Sequence, residues 1–251
     1  MIEQGNVERV VAPSAAEFRE RFENPRRPVV IEGALRDWPA MTRWTGDALV
    51  ANYGDVPCTL DHGCATLREL VERIRAGQNA STDLTLMQVP FFVRDIRPLP
   101  YVAPADVTFA NIWIGGAKRT QLHYDLADNF HAVVRGKKRF YIVSPDQHHL
   151  LYPLVPDRTA RRTLSYSQFD FFAIDEQRFP VLRDVRYLVA DLAPGDALYM
   201  PTRWYHAVQH DGDPTMAINF WWVHPESGRP EADSFFTDRV LLSELYGEGT
   251  A

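Results

Sequence analysis

Asn111-Ile112-Trp113-Ile114-Gly115-Gly116, followed closely by Gln121-Leu122-His123-Tyr124-Asp125, is the stretch on which the fold turns. Its first half is a β-branched and aromatic run closed by glycines, the pattern of a strand meeting a turn. The texture continues downstream. Phe130 to Arg135, Arg139 to Ser144, Tyr187 to Leu192, Ala197 to Met200, His206 to His210 and Thr215 to Val223 all read as strands. Glycine, proline and aspartate separate them, which predicts a mainly β region built as a sandwich or barrel. Gly136-Lys137 reads as the turn of a hairpin between two of these strands. The stretch 150–180 lacks strand pattern and reads as a long excursion over the barrel mouth.

Upstream, helix and strand mix. Ser14-Ala15-Ala16-Glu17 has capping-box spacing and opens a short helix through Phe22. Pro28 to Gly33 is a compact β-branched run, hence a buried strand. Thr45 to Tyr53 and Thr66 to Arg75 read as helices; in the second, Leu67, Leu70, Val71 and Ile74 recur at helical spacing, and Gly77 supplies a stop. Residues 231–247 read as an amphipathic helix that packs on its own domain or offers a dimer contact. The expected organisation is 1–104 as flanking α/β elements, 105–225 as the β core and 226–251 as a C-terminal helix.

Composition narrows the function classes. The chain has 251 residues, 45% hydrophobic and 24% charged, as in an ordinary globular protein. A net charge of −6 argues against broad binding to a nucleic-acid backbone. The cluster Arg158, Arg161 and Arg162 reads as a solvated loop. Cys58 and Cys64 cannot form a four-cysteine zinc site, and Met1 to Asn6 lacks a basic-then-apolar leader, so a reduced cytoplasmic protein is expected. No apolar run approaches the ~20 residues that span a bilayer.

His123 and Asp125 lie two apart on a strand and so face one way, with Tyr124 opposite. His206 comes from a distant strand, presented by the rigid Pro201-Thr202-Arg203-Trp204-Tyr205 connection. Two imidazoles and a carboxylate occupy one face of a metal and leave the other open, the ligand set of non-haem Fe(II) oxygenases. His62, His131, His148, His149, His210 and His224 have no comparable frame and read as surface or core histidines. Alternation places Lys138 with Phe140 and Ile142, so its ammonium either snorkels at the rim or points inward toward an anion. Thr215, Ala217, Asn219 and Trp221 share another face.

Together these residues resemble the JmjC-type oxygenases, in particular the small cupin-like group that includes the factor-inhibiting-HIF asparaginyl hydroxylase. The likeness runs from about Asn111 to Val223 through Trp113-Ile114-Gly115-Gly116, His123-Tyr124-Asp125, Asn129, Gly136-Lys137-Lys138, Leu151-Tyr152-Pro153, Phe179-Pro180, Pro194-Gly195-Asp196, Trp204-Tyr205-His206 and Asn219-Phe220-Trp221. It implies a double-stranded β-helix (jelly-roll, cupin) core that binds Fe(II) and 2-oxoglutarate. His123, Asp125 and His206 are the implied iron ligands, and Lys138 the implied partner of the distal 2-oxoglutarate carboxylate. Thr120, Asn129, Asn219 and Trp221 are implied in the co-substrate pocket. Strict alternation from His123 turns Thr120 away, unless the strand is irregular there. Where relatives often place a tyrosine against the co-substrate, Thr85 stands, and Gln88 reads as part of the substrate entrance. The implied activity is hydroxylation of an amino-acid side chain in a protein or peptide. Hydroxylation of a small molecule or a modified tRNA base is the second reading, and a non-catalytic metal-binding cupin the third.

Overall fold

The computed structural model describes residues 1–60, 63–86, 88–102, 106–154 and 166–223. The chain starts with two short strands, β1 (Ile2–Asn6) and β2 (Arg9–Val11), then α1 (Ala15–Phe18), which runs on as a π-helical turn at Arg19–Glu23. Ser14 caps α1, its Oγ accepting from Glu17 N at 3.1 Å. β3 (Val29–Glu32), α2 (Ala40–Arg43) and α3 (Gly46–Tyr53) follow, then the antiparallel pair β4 (Pro57–Leu60) and β5 (Gly63–Thr66). In α4 (Leu67–Arg75), Leu67, Leu70, Val71 and Ile74 are buried on one stripe, as the 3.6-residue period requires. Burying each such side chain stabilises by about 1.5–3 kcal/mol. Thr66 caps this helix, and Gly77, at φ +74°, ends it.

The remaining strands are β6 (Ser81–Thr85), β7 (Val107–Gly115), β8 (Lys118–Tyr124), β9 (Asp128–Val143), β10 (Arg186–Leu192), β11 (Ala197–Met200) and β12 (Tyr205–Trp222). β9 and β12 are long and antiparallel throughout, with Tyr205 opposite Val143 and Trp222 opposite Asp128. The first half of β9 pairs with β11, and its second half with β10. β12 likewise pairs with β8 through its first half and with β7 through its second. Two layers result, in the orders β2-β3-β11-β9-β12-β7-β6 and β1-β10-β9-β12-β8, joined through the two shared strands. This is a jelly roll, the double-stranded β-helix.

The expected hairpin at Gly136-Lys137 is not there. β9 passes straight through that point and turns a corner from one layer to the other instead of reversing. Gly136 sits at φ +73°, and a Cβ placed on it would meet Thr215 Oγ1 at 2.5 Å and the Asp211 carbonyl at 2.8 Å. The facing corner of β12 takes up extra residues between Asp211 and Met216, so the expected strands at 206–210 and 215–223 are one bent strand.

Three apolar clusters follow from the alternation. Outside the larger layer, Phe130, Ala132, Val134, Ile218 and Phe220 pack against Phe18, Leu70 and Trp38 of the N-terminal elements. Between the layers, Val30, Val133, Phe140, Leu198 and Val208 fill part of the interior. Outside the smaller layer, Tyr205, Ala207 and Leu122 meet Phe171 and Phe179 from the 150–180 excursion and Leu182 just after it. The expected C-terminal helix, the Arg158–Arg162 cluster, His62 and His224 lie outside the described residues. Among the described residues, no helix is long and apolar enough to cross a membrane.

Candidate metal centre and co-substrate cavity

His123 and His206 face each other across the β8–β12 pair, and Asp125 follows the end of β8. Asp125 Oδ2 lies 3.5 Å from His206 Nε2, and Oδ1 lies 3.9 Å from His123 Nε2. The three ligand atoms fall within 4.8 Å of one another. Each imidazole is oriented by its own strand: His123 Nδ1 donates to the Gln121 carbonyl at 2.8 Å, and His206 Nδ1 to the Trp204 carbonyl at 3.1 Å. A carbonyl only accepts, so the proton is on Nδ1 and each Nε2 lone pair is left for a metal. Tyr124 points the other way, edge-on to Tyr205.

The connection before His206 is tied to the same carboxylate-bearing loop. Arg203 N and Thr202 Oγ1 both donate to the Asp125 carbonyl, at 2.9 and 3.0 Å. Thr202 N donates to the fully buried Asp128, which also receives the Tyr199 hydroxyl at 2.8 Å and Arg26 Nη1 at 2.6 Å. Trp204 Nε1 donates to the Arg26 carbonyl. Backbone and side chain together thus fix the relative positions of Asp125 and His206.

Burial holds His206 well below the usual imidazole range, with His123 and Lys138 adding to the effect; the neutral ring is the form that binds a metal. Burial raises the Asp125 carboxyl, opposed by His123 and the Asn129 amide beside it. A cation would reverse that penalty, so the donor set fits a metal.

Beside this cluster the interior is polar. Lys138 is only 4% exposed and points inward, which decides between rim and interior. Its ammonium sits 4.6 Å from the Trp113 ring centroid and has no hydrogen-bond or ion-pair partner among the described residues. Burial pushes its pKa down to about 8, against a raising influence from Asp83. Thr120 also faces inward. Between His206 and Val208, β12 spends two steps where β8 spends three, from His123 to Thr120. That β-bulge inserts one residue and restores Thr120 to the ligand side. Its Oγ1 lies 3.2 Å from His210 Nε2.

Asn129 and Asn219 flank His131, with Asn129 Nδ2 3.2 Å from His131 Nε2 and Asn219 directly across the strand pair. Both asparagine Oδ1 atoms are buried without a partner. Trp221 stands edge-on to His131 and donates through Nε1 to Asn111 Oδ1, while Asn111 Nδ2 donates to Asp83. The buried ammonium, lacking an acceptor, fits a small acid, while the two amide oxygens, lacking donors, fit water or a ligand's N–H or O–H. Thr85 lies opposite Asn111 on β6 and is tied to Gln88, whose backbone N donates to Thr85 Oγ1 at 3.3 Å; Gln88 is exposed.

His131 and His210, read from the sequence as ordinary core or surface histidines, both line this interior. The usable signal lay in alternation, since His131 is two residues from Asn129 on a strand whose other face is Phe130 and Ala132. Tyr166, within the 150–180 excursion, was not singled out at all; its half-exposed ring stacks on His123 with centroids 5.1 Å apart.

A jelly roll carrying this His-Asp-His cluster and inward lysine defines the class of JmjC-type cupins, which use Fe(II) and 2-oxoglutarate. The chain belongs to the cupin-like domain family, whose profile matches residues 15–228. Among curated proteins it is 29% identical to lysine-specific demethylase 8 of Xenopus tropicalis, covering 84% of this chain and 51% of the relative. It is 27% identical to Jumonji C domain-containing protein 5 of Drosophila melanogaster, covering 84% and 58%. With the bifunctional peptidase and (3S)-lysyl hydroxylase JMJD7 of Homo sapiens it shares 25% identity, covering 84% and 81%. The chain spans little more than half the length of the first two.

Proposed function

We propose that this chain is an Fe(II)- and 2-oxoglutarate-dependent hydroxylase acting on an amino-acid side chain of a protein or peptide, with succinate and carbon dioxide as co-products. The observation that carries this reading is the meeting of two oriented Nε2 atoms and one carboxylate beside a buried lysine. In it, His123, Asp125 and His206 hold the iron, and Lys138 pairs with the distal carboxylate of 2-oxoglutarate. At an effective dielectric near 20, such a contact at ~4 Å is worth about 4 kcal/mol before desolvation. Thr120, Asn129 and Asn219 supply polar lining, and Trp221 forms a wall. Together the bound metal and co-substrate supply the oxidising power that places one oxygen atom of O2 on a C–H bond. The chain's part is to orient both groups, to keep the His206 imidazole neutral and to leave an opening at Tyr166 for the substrate.

The name of the human relative, a lysyl hydroxylase, supports hydroxylation of protein; the name of the frog relative speaks for demethylation. The test is purified protein with Fe(II), 2-oxoglutarate and a peptide library. Succinate release with a product one oxygen atom heavier, both lost in His123→Ala, is the expected result. Formaldehyde and a lighter peptide would assign demethylation. Absence of succinate with every substrate would overturn the oxygenase reading.

A further inference from the structure

We propose that His210 binds the co-substrate directly, its Nδ1–H donating to the same distal carboxylate that Lys138 pairs with. This rests on the assignment of the cavity given above and extends it to a residue outside the implied pocket set.

His210 lies on β12 opposite Lys138 of β9 on one side and Lys118 of β8 on the other. It is 5% exposed, and its ring stacks on Trp113 with centroids 4.1 Å apart and planes at 23°. The Lys138 ammonium rests against the same indole. Burial and the two lysines hold His210 neutral, so the ring carries one N–H and one lone pair. Nε2 is engaged with Thr120 Oγ1, whereas Nδ1 is buried without a partner.

The lysine shows which nitrogen carries the proton. A lone pair on Nδ1 would be an acceptor beside a buried ammonium that has none. The ammonium lies over Trp113 instead, as it does when Nδ1 bears hydrogen and the Thr120 hydroxyl donates to Nε2. An ammonium and an N–H on directly paired residues of adjacent strands, each against Trp113 and without an acceptor among the described residues, make a two-donor site for an anion. A carboxylate brings two oxygens to it. Packing on Trp113 alone would leave Nδ1 an uncompensated buried donor, a costly arrangement.

Calorimetric titration of the Mn(II)-loaded protein tests this, using 2-oxoglutarate and 2-oxopentanoate, which has a methyl group where the distal carboxylate would be. The variants are His210→Phe, which keeps the stack; His210→Asn, whose amide nitrogen falls near Nδ1; and His210→Gln, whose amide falls near Nε2. Phe and Gln are expected to weaken 2-oxoglutarate roughly 10- to 100-fold and leave 2-oxopentanoate unchanged, while Asn retains tight binding. Rescue by Gln and not by Asn, or equal weakening of both acids by Phe, would overturn the proposal. Lys138→Met separates the two layers of inference. Unchanged 2-oxoglutarate binding in that variant sinks the cavity assignment itself, whereas weakening there with no effect at His210 sinks only the present one.

Discussion

Thr120 and His123 are three positions apart on β8 yet face the same side of the strand, because it carries one extra residue against β12 at that point. The pairing register thus brings a hydroxyl to His210 and an imidazole to the metal cluster on one short strand. Thr120→Val removes the partner that His210 Nε2 has among the described residues and leaves the ring without a hydrogen bond to them. The expected cost is about 1–2 kcal/mol, read as a lower urea midpoint at unchanged slope.

Gly136→Ala tests the corner. The substitution puts a β-carbon into backbone atoms of the facing strand, at a φ of +73° that L-residues avoid. A loss of about 2–4 kcal/mol is expected from the combined strain and overpacking. A midpoint within experimental error of the wild type would mean that the corner relaxes freely.

Asp128 is buried and receives hydrogen bonds from Arg26, Tyr199 and Thr202. Asp128→Ala strands a guanidinium and a phenol, at a cost of about 3–5 kcal/mol. Metal affinity should fall as well, because Thr202 also holds the Asp125 carbonyl. The exposed pair Arg139–Asp191 serves as the control: Asp191→Ala should alter neither property measurably.

Lys138 gives the molecule a pH signature. Its folded pKa, about 8, lies below its unfolded value, so between about 8 and the ordinary lysine value the unfolded chain binds the extra proton. Stability of the ligand-free protein therefore rises with pH across that window, and the rise is absent in Lys138→Met. If Lys138 holds the co-substrate as proposed, affinity for 2-oxoglutarate should move the opposite way and decline above about pH 8 as the ammonium is lost.

The convergence of His123, Asp125 and His206 was legible because two-residue alternation and a rigid Pro-Trp frame both operate locally. The capping box at Ser14 and the helical spacing of Leu67, Leu70, Val71 and Ile74 marked their helices for the same reason. What depends on a partner strand was hidden. A glycine between two alternating runs looks the same in a hairpin as at a corner, and only the layer to which Lys138 belongs tells them apart. The bulge beside Thr120 exists only relative to β12. β1 and β2 are three to five residues long and largely exposed, with too little apolar pattern to stand out. His210 was passed over because a lone histidine in a strand has no signature until its cross-strand neighbours are known, and His131 because its alternation with Asn129 was not followed.

Since β9 and β12 thread through both layers, the molecule has no seam along which to part. Amide protons in the two layers should exchange with deuterium through one shared opening event rather than two. A hinge of the kind that closes a two-lobed enzyme is thereby denied to these two layers.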